Sequence, residues 1–498
     1  MALQRIHADR SWPLHDAAAT RELERRAQSA LAPHTLMQRA GLAVARLTRA
    51  LVPHGRQAWI ACGPGNNGGD GFEAALHLQR LGWTVSLTWT GAAHSPADAQ
   101  AARERALTAG LALQAAPPEQ FDVAIDALLG LGGELSDERP ASAQMRQWLE
   151  RMHAGAAPVL AVDLPTGLDA DTGAACIAPG RSRTFTLSLL SLKPGLFTAQ
   201  GRDLAGQVWF DDLGVQDPGV PPHALLLGVD QAGMPPKAFA RHASHKGRFG
   251  DVVVVGGQQS TEAGTSMAGA ALLAARAALH HGAGRVYLAL LGQASLQVDV
   301  VQPELMFRPL ASLSQLASPQ VAVVGCGGGT AVAGVLPGLL AQTAGLVLDA
   351  DALNAVAGEA SLRRGVMRRA RAGLSTVLTP HPLEAARLLG CTAAQVQADR
   401  LQAAQALAQE LGCVVALKGS GTVVSTPGLL PAINFTGNAL LASAGTGDVL
   451  AGMIGSAMAQ GLAPRAAALQ AVHAHGAKAD AWATRHPGQG LTASDLLS

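Results

Sequence analysis

A chain of 498 residues exceeds what one hydrophobic core supports, so two domains of about 200 to 270 residues are expected. Lys plus Arg number 37 against 36 Asp plus Glu, and no long run of like charge breaks that balance. This argues against a nucleic-acid or acidic-membrane surface. Hydrophobic residues reach 48% and charged ones 15%, yet no uninterrupted apolar stretch is long enough to cross a bilayer, so a soluble chain with no membrane partner is expected.

Residues 1–16 carry Arg5, Asp9, Arg10 and Asp16 and lack the apolar core of a secretory signal, which makes the cytoplasm the expected compartment. Five cysteines, Cys62, Cys176, Cys326, Cys391 and Cys413, are odd in number, widely spaced and free of Cys-x-x-Cys pairs. Reduced, mostly buried thiols fit that pattern better than a disulfide framework.

Apolar β-rich runs, Gly-rich turns and Ala/Leu-rich helical stretches alternate along the chain, predicting an α/β protein with a largely parallel sheet. The runs are 58–61 before Gly63, 159–162 before Asp163, 252–255 before Gly256, 321–324 before Gly325, 346–348 before Asp349, and 414–417 before Lys418. Ligands of open α/β sheets bind beyond the carboxyl ends of strands. All six ends carry Gly, Asp or Lys.

Gly63-Pro64-Gly65-Asn66-Asn67-Gly68-Gly69-Asp70-Gly71 follows the first run and precedes a helix expected to begin near Phe72. Its glycines permit positive φ and close approach of a ligand, and a helix N-terminus offers free N–H groups to a phosphate. A tight turn with Asp70 as a cap would also suit the composition. Two more carboxylates, Asp126 after 121–125 and Asp163 after 159–162, each precede a loop of small residues. Converging on one pocket, they would hold a cation or act as acid and base; taken singly, either would serve as a helix cap.

Prolines crowd residues 211–236, which fits an interdomain connection. The boundary is placed near residue 220, giving domains 1–220 and 221–498.

In the second half, Ser443-Ala444-Gly445-Thr446-Gly447-Asp448 leads into an apolar helix, so backbone N–H groups would line up on phosphoryl oxygens with Asp448 beside the reacting group. A plain helix cap is again the simpler role for that aspartate. Lys418-Gly419-Ser420-Gly421-Thr422 adds a cation and two hydroxyls suited to a nucleotide's phosphates or ribose. Thr379-Pro380-His381 and Asp349-Ala350-Asp351 occupy two further strand ends; His381 alone suits a structural role.

The motifs Asn66-Asn67-Gly68-Gly69-Asp70-Gly71 and Val162-Asp163-Leu164-Pro165-Thr166-Gly167-Leu168, with Arg21-Glu22-Leu23-Glu24 and residues 36–41, resemble the NAD(P)H-hydrate epimerases over most of residues 14–213. The resemblance implies a Rossmann-like three-layer α/β domain that interconverts R and S hydrates of NADH and NADPH. It further implies potassium contacts from Asn67, Asp126 and Thr166. Substrate contacts would come from Asn66, Asn67, Gly68, Gly69 and Asp70, from Gly130, Leu131, Gly132, Gly133, Glu134, Leu135 and Ser136, and from Asp163. Exchange at the hydroxyl-bearing carbon needs that hydroxyl protonated or removed, and Asp163 is the candidate catalytic carboxylate. The proton donor stays open between a side chain and a bound water.

Over residues 237–497 the ordered set Asp-Ala-Asp-Ala-Leu-Asn, Thr-Pro-His, Lys-Gly and Gly-Thr-Gly-Asp-Val-Leu-Ala-Gly resembles the ADP- or ATP-dependent NAD(P)H-hydrate dehydratases of the ribokinase-like superfamily. That likeness implies a ribokinase-like α/β domain using ADP or ATP with Mg2+. Nucleotide contacts would come from Lys418, Gly419, Ser420, Gly421, Thr422 and Gly447, hydrate contacts from Ala270, Gly327, His381 and Asp448, and Asp448 would be the catalytic base. Two departures are the turn Gly325-Cys326-Gly327-Gly328-Gly329 in place of Gly-Pro-Gly-Leu-Gly, and a longer loop over 258–266. NADHX, NADPHX and ADP are the expected small-molecule partners, and a homo-oligomer the expected state. A small-molecule kinase fused to a nucleotide-binding module is the competing reading, with the same fold and the same Asp448.

Overall fold

The computed structural model describes residues 3–92, 94–136, 140–215, 219–234, 241–260, 265–292, 296–315 and 320–497. Two compact units emerge, Pro13–Ala224 with Met1–His7, and Leu225–Ser498 with Ala8–Trp12. A domain running from 1 to 220 therefore omits one feature, the grouping of Ala8–Trp12 with the second unit. Ser11 explains it: its backbone N–H and its hydroxyl both donate to the Asp230 carboxylate at 2.7 Å, and its Oγ accepts from Gly228 N–H. Both units are α/β. No described helix is long and apolar enough to cross a membrane.

The first unit's sheet has the order Gln4–Arg5, Gln207–Asp211, Thr184–Leu189, Val159–Val162, Val123–Ala127, Gln57–Cys62, Thr84–Trp89, Leu113–Gln114. Only Gln4–Arg5 runs antiparallel to its neighbour. Along Gln57–Cys62, Ala58, Ile60 and Cys62 face helices Thr35–Leu51, Asn66–Arg80 and Ala97–Thr108, while Trp59 and Ala61 face Met145, Trp148 and Met152 of helix Pro140–His153. Period-two alternation thus supplies a core to each face and yields three layers. Strand order reverses between Gln57–Cys62 and Val123–Ala127, which opens a crevice at their carboxyl ends.

The second unit's sheet runs Met306–Phe307, Arg285–Gly292, Asp251–Ser260, Gln320–Val324, Gly345–Leu348, Ser375–Leu378, Val414–Leu417, Val423–Ser425, Ala432–Asn434, Ala224–Leu227. Among these strands the pairing is parallel except where Val423–Ser425 pairs antiparallel with both neighbours, and the short strand Thr265–Ser266 adds antiparallel to the end of Asp251–Ser260. The proline-rich stretch 211–236 is more than a connection, because Ala224–Leu227 within it pairs with Ala432–Asn434. Four consecutive apolar residues there are worth burying as a strand, and prolines flank it without interrupting it. Pro218, Pro235 and Pro236 lie outside the described residues.

Helices Ala268–His280, Thr446–Ala459 and Pro464–Arg485 bury an Ala-rich face on Val252, Val254, Val321 and Val323. Their small side chains let backbones come close: a Cβ at Gly452 would overlap the carbonyl oxygen of Ala274. That packing fixes Thr446–Ala459, the helix that begins at the Gly445 turn. All five cysteines are free, three of them buried.

Candidate active sites

Loops leaving adjacent strand ends of the first unit line a cavity of about 490 Å³. Helix Asn66–Arg80 starts six residues before Phe72, so Asn66 to Gly71 are helical rather than a loop. None of Gly63, Gly65, Gly68, Gly69 and Gly71 has positive φ. Four of them are crowded by neighbours: a Cβ at Gly63 would overlap the Leu128 carbonyl, one at Gly68 the Gly63 carbonyl, one at Gly69 the end of Met37, and one at Gly71 would sit 2.7 Å from Ala127 Cβ, while Gly65 has open space. Gly65 N-caps the helix with no side chain, which leaves the first-turn N–H groups to a ligand anion. Asp70, four residues in from that start, is no cap.

Asn66, Asn67, Asp70, Gly130, Leu131, Gly132, Gly133 and Asp163 all line the cavity. Gly68 and Gly69 pack behind it. Leu135 is a correction, since its side chain is buried with Met145 and Trp148 against the sheet, where an apolar residue gains most. Neither Glu134 nor Ser136 is among the lining residues.

Asp126 lies inside strand Val123–Ala127, not after it. Its carboxylate accepts from Thr166 N–H at 2.9 Å, Thr166 Oγ1 at 2.8 Å and Leu128 N–H at 3.2 Å. No helix follows Asp126 or Asp163 directly, so neither is a cap. The amide of Asn67 is buried with neither its oxygen nor its nitrogen hydrogen-bonded. A Cβ on Gly130 would stand 3.3 Å from the Asn67 side chain, which sets Asn67 beside the loop leaving Asp126.

Asp163 takes a left-handed conformation, φ 64°, that few non-glycine residues adopt. Its Oδ1 accepts from Leu189 N–H at 3.0 Å and pairs with the ammonium of Lys193. Lys193 is fully buried, and also donates to the carbonyls of Leu189 and Ser191 at 3.0 Å. Oδ2 of Asp163 makes no hydrogen bond among the described residues. Sequence reasoning missed Lys193, although Ser191-Leu192-Lys193-Pro194 follows strand Thr184–Leu189 as the other motifs follow theirs. It also passed over Arg21, Glu24 and Asp98 as lining residues.

The cavity is strongly acidic. Burial first, then the carboxylates of Asp163, Glu24, Glu73 and Asp98, push Asp70 well above the usual carboxylate range. Burial and Asp163 raise Glu24 in the same direction.

In the second unit, Gly445, at φ 87°, N-caps helix Thr446–Ala459 without a side chain, and Asp448 lies in the first turn. Four predicted motifs converge beside it. Lys418 Nζ donates to Asp349 Oδ1 at 2.6 Å, and Thr379 Oγ1 donates to the same oxygen at 2.8 Å. The Lys418 ammonium stands 3.2 Å from where a Cβ on Gly447 would be, so the lysine and the glycine turn share one space. Ala270 and Gly327 also meet: Gly327, at φ 59°, would carry a Cβ 3.1 Å from that of Ala270. The Cys326 sulfur and one carboxylate oxygen each of Asp349 and Asp448 lie within 4.8 Å of one another.

Burial and the neighbouring Asp349 push Asp448 up to about 6. Burial alone would lower Lys418, but Asp349 and Glu384 outweigh it and raise the ammonium above its ordinary value. Burial likewise lifts Glu384 to about 7.

Supporting residues account for the rest. The His381 ring caps helix Pro382–Leu389, with Nδ1 accepting from the N–H groups of Leu383 and Glu384 while Glu384 accepts from His381 N–H at 2.8 Å. Its structural role is therefore firm, and only the exposed ring face is left to a ligand. Arg400, wholly buried, donates to the carbonyls of Leu417 and Lys418 at 3.2 Å and so fixes the start of the Lys418 loop. At Gly419, φ 139°, a Cβ would meet that guanidinium at 2.8 Å. Ser420, Gly421 and Thr422 continue the loop, Thr422 Oγ1 donating to Gly419 O at 3.3 Å. Asp351 accepts from Gly329 N–H at 2.8 Å and holds the 325–329 turn. His475, pushed by burial down to about 4, is neutral and donates to the Thr446 carbonyl at 2.9 Å. The loop 258–266 falls partly outside the described residues.

A family model described as NAD(P)H-hydrate dehydratase matches residues 252–498, and one described as YjeF-related protein N-terminus matches residues 33–195. The bifunctional NAD(P)H-hydrate repair enzyme Nnr of Escherichia coli (strain K12) is 37% identical over 481 residues, 93% of this chain and 88% of that one. Its namesake in Coxiella burnetii is 33% identical over 97% of this chain and 98% of that one. A solved ADP/ATP-dependent NAD(P)H-hydrate dehydratase from Bacillus subtilis, co-crystallized with ATP/Mg2+, is 28% identical over 54% of this chain and 92% of that one, with a TM-score of 0.44. Identity at this level over nearly the whole length places the chain in the family of bifunctional NAD(P)H-hydrate repair enzymes.

Proposed function

We propose that the first unit exchanges the R and S epimers of hydrated NADH and NADPH, and that the second returns the S form to NADH or NADPH at the expense of ADP or ATP. The observation that carries this reading is the placement of Asp448, a carboxylate in the first turn of a helix with no side-chain cap, beside a lysine paired with Asp349.

Hydroxide is a poor leaving group. In the second unit the Asp448 carboxylate accepts the hydroxyl proton of the hydrate while that oxygen attacks the terminal phosphoryl group of the nucleotide. The N–H groups at the start of Thr446–Ala459 and the Lys418 ammonium stabilise the charge that spreads over the transferred group. Phosphate then leaves with the carbon–oxygen pair, the ring nitrogen lends its lone pair, and the adjacent carbon releases a proton to restore the double bond. With ADP the products are AMP, orthophosphate and the reduced nicotinamide. A base at about 6 is mostly ionised at neutral pH yet basic enough to take a proton.

Mg2+ would accompany the nucleotide and offset phosphate charge. Asp349 suits it, as a hard oxygen donor whose Oδ2 makes no hydrogen bond among the described residues. In the first unit a potassium ion would be held by Asn67, Asp126 and Thr166. The buried Asn67 amide with no partner supports that fit, as does an all-oxygen donor set. Bound there, it would supply positive charge among many carboxylates. Arg21 and the first-turn N–H groups of Asn66–Arg80 suit the substrate's phosphates.

Two incubations test this. The S hydrate with ADP should give reduced nicotinamide, AMP and orthophosphate in equal amounts, whereas a stable phosphorylated hydrate without orthophosphate would make the second unit a kinase. The R hydrate without nucleotide should convert to the S form faster than in buffer alone.

A further inference from the structure

We infer that Asp70 is the proton donor of the epimer exchange, and that Lys193 is a positioning residue which keeps Asp163 the anion of the pair. This rests on the epimerase reading of the first unit and names the group that reading leaves open.

The two carboxyls share one cavity but have opposite surroundings. Asp163 Oδ1 receives a buried ammonium and a backbone N–H. Asp70 has no hydrogen-bond donor among the described residues. Facing it are Asp163 from the loop after Val159–Val162, Glu24 from helix Ala17–Ala30, Asp98 from helix Ala97–Thr108, Glu73 on its own helix and the buried Cys62 thiol. The basic groups nearby are engaged or lie elsewhere in the cavity: Arg105 pairs with Glu73, His34 with Asp98, and Arg21 lines the cavity with no ion pair to Asp70. A carboxyl desolvated by burial, with no ion pair or hydrogen-bond donor of its own among the described residues and with other acids around it, keeps its proton. One carboxyl that holds its proton beside a carboxylate paired with a buried lysine suits a division into proton donor and electrostatic stabiliser.

The chemistry balances. The Asp70 carboxyl gives its proton to the hydroxyl of the hydrate. The carbon–oxygen bond breaks, its electron pair leaves with water, and the ring nitrogen's lone pair forms a carbon–nitrogen double bond bearing positive charge. The fixed Asp163 anion stabilises that cation. A water molecule adds to the opposite face, the double-bond pair returns to nitrogen, and the proton released by the added water returns to Asp70 through the cavity. No oxidant or nucleotide is consumed.

The test uses the full-length chain and the pure R hydrate in oxygen-18 water without nucleotide. Wild type should exchange epimers well above the spontaneous rate, gain the heavy oxygen at the same rate, and lose activity as pH rises and Asp70 ionises. Asp70→Asn should lower kcat about 10²- to 10⁴-fold with KM within about threefold, and Asp70→Glu should recover part of the loss. In Lys193→Met, loss of the cation should move the alkaline limb of the pH profile upward, a shift that a merely structural lysine would not cause. Asp70→Asn exchanging epimers at the wild-type rate with an unchanged alkaline limb overturns the inference while the epimerase reading stands. Wild type no faster than buffer overturns both. Should Asp70→Asn lack a cooperative melting transition, Asp70→Glu decides: an alkaline limb identical to wild type counts against the inference.

Discussion

The two sites repeat one arrangement of three charges in different surroundings. Each has one lysine, fully buried in the first unit and partly buried in the second, and two carboxylates near the ends of neighbouring elements. In the first unit Lys193 pairs with Asp163, and Asp70 is left without a counterion. In the second, Lys418 pairs with Asp349, and Asp448 is left so. The difference lies in the surroundings: beyond burial, four carboxylates push Asp70 well up with nothing to offset them, while at Asp448 a Cys326 hydrogen bond and Lys418 offset part of the rise and it reaches about 6. The same device therefore yields a carboxyl that keeps its proton in one site and a carboxylate ready to take one in the other. Where the lysine sits decides which group does which.

The largest expected effect is from Asp448→Asn, which should cut dehydration of the S hydrate about 10²- to 10⁴-fold while epimer exchange in the same preparation stays at its wild-type rate. Orthophosphate release and epimer ratio measure the two separately. Parallel loss of both would tie the sites together and break the comparison.

Lys418→Met comes next. Without the ammonium, Asp349 and Asp448 repel each other uncompensated, and dehydration should fall about 10- to 100-fold. The wild-type dehydration rate should rise with pH through about 6, because the base works only when ionised. In Lys418→Met that rise should move to higher pH.

Smallest is an effect on stability. Asp70 binds its proton more tightly folded than unfolded, so its contribution to stability declines as pH rises above the unfolded carboxylate range. Asp70→Asn should then raise the melting temperature at pH 7 and leave it unchanged below about pH 3, where both states are protonated.

Much of this was legible from sequence. The six strands and the motifs at their ends are local signals, since a parallel strand buried on both faces must be a short apolar run and its ligand-facing end must turn. Other features depend on contacts that no local pattern encodes. Lys193 looks like any surface lysine until Ser188, Leu189 and Ser191 fold around it, and lysine is rarely buried. Arg400 and His475 reach their carbonyls from helices distant in sequence. The helix start at Asn66 was obscured because Gly68, Gly69 and Gly71 are poor helix formers, and only their crowding against Gly63, Met37 and Ala127 explains them. Leu135 followed its motif on paper and the core in space.

The most direct measurement is a single reaction, in which the full-length chain is given a mixture of R and S NADPH hydrate with ADP and the reduced-nicotinamide band is followed to its end. Two sites arranged as described predict complete recovery of absorbance in wild type, and in Asp70→Asn a rapid rise that stops at the S fraction apart from slow spontaneous exchange. Wild-type recovery that itself halts at the S fraction, or accumulation of a phosphorylated hydrate in place of the reduced nicotinamide, would contradict it.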